Sequence, residues 1–344
     1  MDLNRLKDFL DSQNLPPFRF RQVVKNYYSG RYSSFDQMTD LSLDLRTKLS
    51  QEFNLLSVSE TKTVGDNSVQ KTLLKLSDGQ SIETVLMDYE DWITACVSSQ
   101  VGCPLNCQFC ATGKMGFKRN LTADEIVDQI LFWKNHLNYK NNSPRPVKGG
   151  VRGGFRVVFM GMGEPFLNWD NLLAALKIIN LPNGLNIGAR KISISTAGVA
   201  DKIIEFTQLN TQINLAVSLH SANQEYRQSI MPIARQYPLN ELKKACLYYV
   251  NHTNRQLFFE YALTDQNTSQ TDAKLLADFI HSHRLFFLNL IPLNPVDGGL
   301  TPATKDQQKI FMNCLNQYGV EYSLRRSFGQ SFSAACGQLA TDLK

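Results

Sequence analysis

The chain has 344 residues, 43% hydrophobic and 19% charged, which is ordinary for a globular protein with a sizeable core. No apolar run reaches the roughly 18 residues needed to span a membrane; the best, LFFLNLIPL from Leu285 to Leu293, is strand-sized. Net charge is 36 − 31 = +5, which tolerates a polyanionic partner without demanding one. MDLNRLKDFLDSQN at the N-terminus reads as a polar amphipathic helix rather than a signal peptide, and seven cysteines do not make a secretory disulfide framework. A cytoplasmic chain with reduced thiols is expected, any disulfide being transient or catalytic.

Residues 1–55 are expected to form a helical accessory domain, because LNRLKDFLDS, FRQVVKNYYSG and LSLDLRTKLSQEF carry apolar residues at helical spacing. Arg19, Arg21, Lys25 and Arg31 make it basic, and Phe18, Phe20, Tyr27, Tyr28 and Tyr32 are interleaved with them. That pattern suits an RNA-recognition module, with a helical cap on the next domain as the equal alternative. Residues 56–91 change period to short alternating runs separated by GDN and DGQ, which predicts a small antiparallel sheet. From residue 92 to 326, strand-like runs alternate with amphipathic helices such as TADEIVDQILFWKNHL and NELKKACLYYVNH. Repeated strand–helix units predict an α/β domain with a mostly parallel sheet or barrel, whose sites gather at the C-terminal ends of the strands. Within it, Asn141 to Phe155 is rich in Gly, Pro and basic residues and is expected to be an exposed loop. Residues 327–344 form a C-terminal tail.

Chemistry concentrates in CPLNCQFC, where Cys103, Cys107 and Cys110 are spaced C-x-x-x-C-x-x-C. They follow the strand-like TACVSSQV and precede a helix opened by the capping box TADE, so they belong on a loop at a strand end. Zinc would want a fourth ligand, and no nearby His or Cys follows Cys110 to supply it. An iron–sulfur cluster with one iron left to a small molecule fits better.

The spacing, with Phe109 before the last cysteine, resembles the radical SAM signature. In that superfamily the open iron chelates S-adenosylmethionine, whose reductive cleavage releases a 5′-deoxyadenosyl radical. CVSSQVGCPLNCQFCATGKMGFKRNLTADEI, FMGMGEPFLN, KISISTAGV, AVSLHSANQEYRQSIMPI, NLIPLNP and AACGQL occur in that order. Together they resemble the RlmN/Cfr family of radical SAM RNA adenosine methyltransferases, from about Leu6 to Leu339 and closest to the RlmN type. The resemblance implies a partial (βα)6 barrel, a 4Fe-4S cluster on Cys103, Cys107 and Cys110, and S-adenosylmethionine held by Gly163, Glu164, Ser195, Ser218, Leu219, His220 and Asn294. It implies that Cys336 is methylated, that Cys96 is its resolving partner and that Glu83 removes the ring proton. Alone, each of these two cysteines would more often be a small buried residue, Glu83 a surface strand residue and His220 a structural histidine. Cys246 and Cys314 match no motif. Before the tail cysteine, GQSFS departs from the acidic residues common in the family.

The chemistry implied is methylation of carbon 2 of adenosine in 23S rRNA and tRNA through S-methylcysteine and a transient protein–RNA adduct. An electron donor such as flavodoxin and a monomeric state are expected with it. The alternatives are carbon 8 methylation of the rRNA adenosine (the Cfr type), a radical SAM enzyme for a peptide or small molecule, and a non-catalytic zinc-stabilised RNA-binding protein.

Overall fold

The computed structural model describes residues 1, 3–140, 154–296, 299–325 and 333–341, with the side chains of 138–140 excepted. The Gly-rich loop expected at 141–155 therefore lies outside the described residues except for Gly154 and Phe155, and of GQSFS only Ser333 is described.

Helices α1 (Leu3–Ser12), α2 (Phe18–Ser29) and α3 (Leu43–Glu52) form the N-terminal unit. Their spacing puts Leu6, Leu10, Val23, Leu45 and Leu49 inside. Gly30 ends α2 in the left-handed region at φ +63. Ser42 caps α3 by accepting the Leu45 N–H. Of the aromatics expected to read RNA, Tyr27 and Tyr28 are buried instead. Tyr27 donates from its hydroxyl to the Asp128 carboxylate, which also accepts the Ser57 N–H at 2.6 Å. These two tyrosines dock the helical unit, because a phenol buries a ring and still needs a partner for its hydroxyl. Phe18 remains exposed, with the Arg19 guanidinium 4.7 Å from its ring centre.

Strands β1 (Val58–Gly65), β2 (Val69–Leu76) and β3 (Ser81–Asp88) form the antiparallel meander that the alternation predicts. It is not a separate sheet. β3 pairs with β4 (Ile93–Cys96), which begins the parallel region, so ten strands form one continuous sheet. The run TACVSSQV does not remain one strand. After Val97 the Ser98 N–H turns to Gln129 Oε1, and the chain leaves the sheet. It returns as β5 (Gln100–Gly102), paired with β6 (Phe117–Asn120) as a two-stranded ribbon. The cysteine loop and the short α4 (Ala111–Lys114) lie between these two strands.

Helix α5 (Ala123–Lys140) starts with the predicted box: Thr122 Oγ1 accepts the Glu125 N–H at 3.2 Å, and the Thr122 N–H returns to Glu125 at 2.9 Å. β7 (Phe155–Phe159) then pairs in parallel with β4, and α6 (Trp169–Asn180) follows. The same unit repeats as β8 (Ile192–Thr196) with α7 (Ala200–Gln208). Next comes β9 (Asn214–Ser218) with α8 (Gln224–Ile230), α9 (Ile233–Gln236) and α10 (Leu239–Thr253). β10 (Leu257–Leu263) with α11 (Gln270–Ile280) and β11 (Phe286–Pro292) with α12 (Lys305–Gln317) complete six strand–helix units. β12 (Tyr322–Leu324) closes the parallel run on β11. This is the expected partial (βα)6 barrel, with β12 as an added edge strand. Central β10 is buried on both faces, as the near-continuous apolar run QLFFEYAL requires: Leu257, Phe259, Tyr261 and Leu263 are inaccessible on one, and Glu260 and Ala262 are buried on the other.

Candidate active site

The cysteine loop is pinned from several sides. The Cys103 N–H donates to Gly116 O at 3.1 Å and the Cys110 N–H to Cys107 O at 3.1 Å. Gln108 fastens the loop to α8, its N–H on Ile230 O at 2.9 Å and its Nε2 on Ser229 O at 2.8 Å. Burial pushes the Cys103 thiol up to about 12 and the Cys107 thiol well above the ordinary value, while Cys110 is half-exposed. Thiols so placed lose their protons when a metal takes them. Among the described residues no three or more His, Cys, Asp or Glu side chains converge on a single-ion position. Three soft sulfurs on one short loop, facing a cavity, are the donor set of an iron–sulfur cluster with an open iron.

That cavity, about 1030 Å³ including its mouth, lies where the parallel strands end. Cys103, Cys107 and Cys110 form one wall, and Gly163, Glu164, Ser195, Ser218, His220, Asn294 and Cys336 contribute to the rest. Gly163 follows β7 at φ +98, and a Cβ there would stand 2.5 Å from Gln100 Cβ, so only glycine lets the chain pass. Glu164 is buried and accepts the Ala197 N–H at 2.6 Å and the Phe166 N–H at 3.0 Å. No cation answers it among the described residues, and burial lifts its carboxyl to about 7. An ammonium group delivered by a ligand would restore its charge.

His220 sits at φ +55, its ring 4.4 Å from that of Phe109. Its Nδ1 accepts the Ala262 N–H at 3.0 Å, which leaves the proton on Nε2. Burial, and Arg227 after it, drop its pKa to about 3, so the imidazole is neutral. Leu219 does not line the cavity. Its side chain is buried, its N–H donates to Glu260 O at 3.0 Å and its carbonyl accepts from Arg227 Nε at 3.0 Å.

A second cavity, about 1570 Å³ with its mouth, opens toward the N-terminal ends of the strands. Cys96 lines this cavity and not the first; Cys336 lines both. Burial pushes Cys96 up to about 12, with Cys336 adding to the rise and Arg325 opposing it. Cys336 is exposed between the two cavities; the surrounding walls desolvate its thiol and raise it, again with Arg325 in opposition. All seven cysteines are free. The tail holding Cys336 is clasped through its own carbonyls: the Ala111 N–H donates to Gly337 O at 2.7 Å and the Thr112 hydroxyl to Leu339 O at 2.6 Å. Asn294 Nδ2 donates to Cys336 O at 3.1 Å. The chain just after the third cysteine thus seats the tail.

Glu83 lines neither cavity. It is buried on β3 with Lys71, Nζ to Oε1 2.9 Å, and its other oxygen accepts the Ala340 N–H at 3.0 Å. Two groups in the walls escaped sequence reasoning. Arg325 lines both cavities, 3.7 Å from Glu260, and Glu260 lines the first. Glu260 is an ionisable residue set in the apolar strand run QLFFEYAL, and that signal could have found it; Arg325 follows the polar run EYSL and carried no such signal.

Comparison with known proteins agrees with this arrangement. Residues 1–55 match the family model described as the ribosomal RNA large subunit methyltransferase N-terminal domain. A probable dual-specificity RNA methyltransferase RlmN of Bacillus subtilis is 42% identical over 98% of this chain and 91% of its own. One from a Thermoanaerobacter species is 38% identical over 98% and 96%. A crystal structure of a radical SAM methyltransferase from Sphaerobacter thermophilus superposes with a TM-score of 0.90 at 37% identity, covering 99% of this chain and 98% of that one. With identity at this level along nearly the whole chain, and the cysteine loop opening on the strand-end cavity, the chain belongs to the RlmN family of radical SAM RNA methyltransferases.

Proposed function

We propose that the protein methylates carbon 2 of adenosine in 23S rRNA and tRNA, and that Cys336 works between its two cavities. The supporting observation is the distribution of thiols. The three cluster cysteines face the first cavity only, Cys96 faces the second only, and Cys336 faces both. The relatives' description as dual-specificity enzymes supports two RNA substrates.

When bound at Cys103, Cys107 and Cys110, a 4Fe-4S cluster with S-adenosylmethionine on its open iron supplies a carbon-centred hydrogen-atom abstractor. The chain does the rest. Glu164 receives the ligand's ammonium, the backbone at Gly163 admits it closely, and Ser195, Ser218, the Leu219 main chain, neutral His220 and Asn294 orient it. Cys336, as thiolate, accepts a methyl from S-adenosylmethionine: a sulfur–carbon bond forms at Cys336 and the sulfonium loses its methyl. Holding that carbon on a fixed sulfur brings it to an adenine carbon that has no lone pair with which to attack a methyl group. After hydrogen-atom removal the S-methyl carbon would bond to the ring carbon of adenine, which must leave its stack to reach it, and the adduct would give up its odd electron to the redox centre that supplied one, and its ring proton to a base. Cys96, as thiolate, then attacks the Cys336 sulfur; the bonding pair of the sulfur–carbon bond leaves with the RNA-bound carbon, which takes up a proton to complete the methyl group, and a disulfide remains for a reductant to reopen.

Glu83 acts as proton acceptor in this reading only once the Ala340 N–H releases it. The second cavity receives the target nucleotide. Its rim carries stacked Tyr89 and Trp92, ring centres 5.4 Å apart, and Arg156 lies 4.1 Å above Trp92, with Arg190 and Lys191 alongside. Such a rim offers stacking faces and phosphate partners. Residues 1–55, with exposed Phe18, Arg21 and Lys25, supply further RNA contacts.

Nucleosides from rRNA and tRNA treated with the reconstituted protein should contain 2-methyladenosine. Recovery of 8-methyladenosine alone would replace this reading with the carbon 8 reaction.

A further inference from the structure

Arg227 of α8 is wholly inaccessible to solvent. Its bonds among the described residues go only to main-chain carbonyls: Nε to Leu219 O at 3.0 Å, and Nη2 to Ala197 O at 2.8 Å and Ser218 O at 3.2 Å. No carboxylate joins it there, and its Nη1 makes no hydrogen bond. An unpaired cation so deep is costly, and removing its compensation leaves a large penalty.

The elements packed around it show where a counter-charge can come from. α8 is tied to the cysteine loop through Gln108. Ala197, whose carbonyl binds the guanidinium, packs in one cluster with Cys103 and Cys107. On α10, Cys246 is buried and its thiol is pushed far up, so it remains neutral. His220, past the end of β9, is neutral as well. Cys107 remains, buried on the loop to which α8 is tied and packed in one cluster with Ala197.

We propose that Arg227 is a positioning residue for the cluster: its fixed positive charge is balanced by the cluster on Cys103, Cys107 and Cys110, and it makes that cluster easier to reduce. The inference rests on the iron–sulfur reading of the three cysteines. An electron added to an anionic cluster in a low-dielectric wall costs less beside a buried cation. The carbonyl bonds alone would make Arg227 only a clamp between the ends of β8 and β9. Charge and clamp are separable, because Lys keeps the charge and cannot span three carbonyls, whereas Gln loses both.

The test compares the wild type, Arg227→Gln and Arg227→Lys, reconstituted anaerobically and assayed for iron and sulfide, melting temperature and cluster midpoint potential by electron paramagnetic resonance. Arg227→Gln is expected to be harder to reduce by about tenfold in electron affinity, ~59 mV for one electron. Arg227→Lys should hold close to the wild-type potential even though its melting temperature falls. An unchanged midpoint in iron-loaded Arg227→Gln overturns the inference, and so does an Arg227→Lys midpoint as low as that of Arg227→Gln. Should Arg227→Gln fail to fold, Arg227→Met, which also removes the charge, takes its place in the same comparison. A wild type without iron and sulfide would instead overturn the cluster reading, and this inference with it.

Discussion

The two cavities share a wall and differ in almost everything else. The first lies at the strand ends, where buried Glu164 and His220 are held by main-chain N–H groups and, among the described residues, no side-chain cation answers the acid. The second lies at the strand beginnings, wider, with aromatic rings and basic side chains at its rim. A preorganised pocket suits a small charged cofactor. A basic, ring-lined opening suits a polymer that must be gripped outside the place where one base reacts. Cys336 lines both, and it comes from the tail rather than from a barrel strand.

The sharpest break in this contrast comes from the first cavity. Cys107→Ala should abolish iron loading, 5′-deoxyadenosine formation and RNA methylation together; retained methylation would sink the division of labour. Cys96→Ala acts on the other side of Cys336. Its turnover should fall to background while 5′-deoxyadenosine still forms and a covalent protein–RNA species accumulates on a denaturing gel. Clean turnover would remove Cys96 from the mechanism.

Trp92→Ala tests the rim. Losing one base-stacking face should cost about 1–3 kcal/mol of RNA binding, read as a raised KM for RNA with S-adenosylmethionine affinity unchanged. An equal loss for both substrates would erase the distinction between the cavities.

The smallest effect concerns Glu164. Its carboxyl rises from the usual 4.5 to about 7 on burial. Below about 4.5 it is neutral in folded and unfolded chains alike, and its contribution is intact. Between there and about 7 the unfolded chain ionises first, so the contribution is lost as pH rises. Melting of the ligand-free protein should therefore show a downward slope across that window, on the order of 1 kcal/mol once water in the cavity screens it. Glu164→Gln should lack the slope, and saturating S-adenosylmethionine should flatten it in the wild type.

Much of this was legible from residue order. Alternation in SIETVLMDY predicted β3, TADE predicted the start of α5, and C-x-x-x-C-x-x-C marked the loop that faces the first cavity. What misled was context. The basic and aromatic pattern of α2 is the same whether the rings face RNA or the interior, and only the Asp128 acceptor on α5 decides that Tyr27 points inward. TACVSSQV reads as one strand until Gln129 takes the Ser98 N–H. Glu260 carries a legible signal, charge within an apolar strand, whereas Arg325, just past a polar one, gains its partner only in the fold.

Local patterns determine helices, strands, caps and short-leash ligand sets, because their physics acts within a few residues of chain. The sequence alone therefore settled the strand–helix repeat, the three-thiol loop and the family motifs. Only the tertiary structure decided that Cys336 sits between two cavities, that Glu83 is tied to Lys71 and Ala340, and that Arg227 lies buried beside the cysteine loop. Each of those pairings joins segments far apart in the chain, and burial, which sets the electrostatics of every one, is a property of packing rather than of residue order.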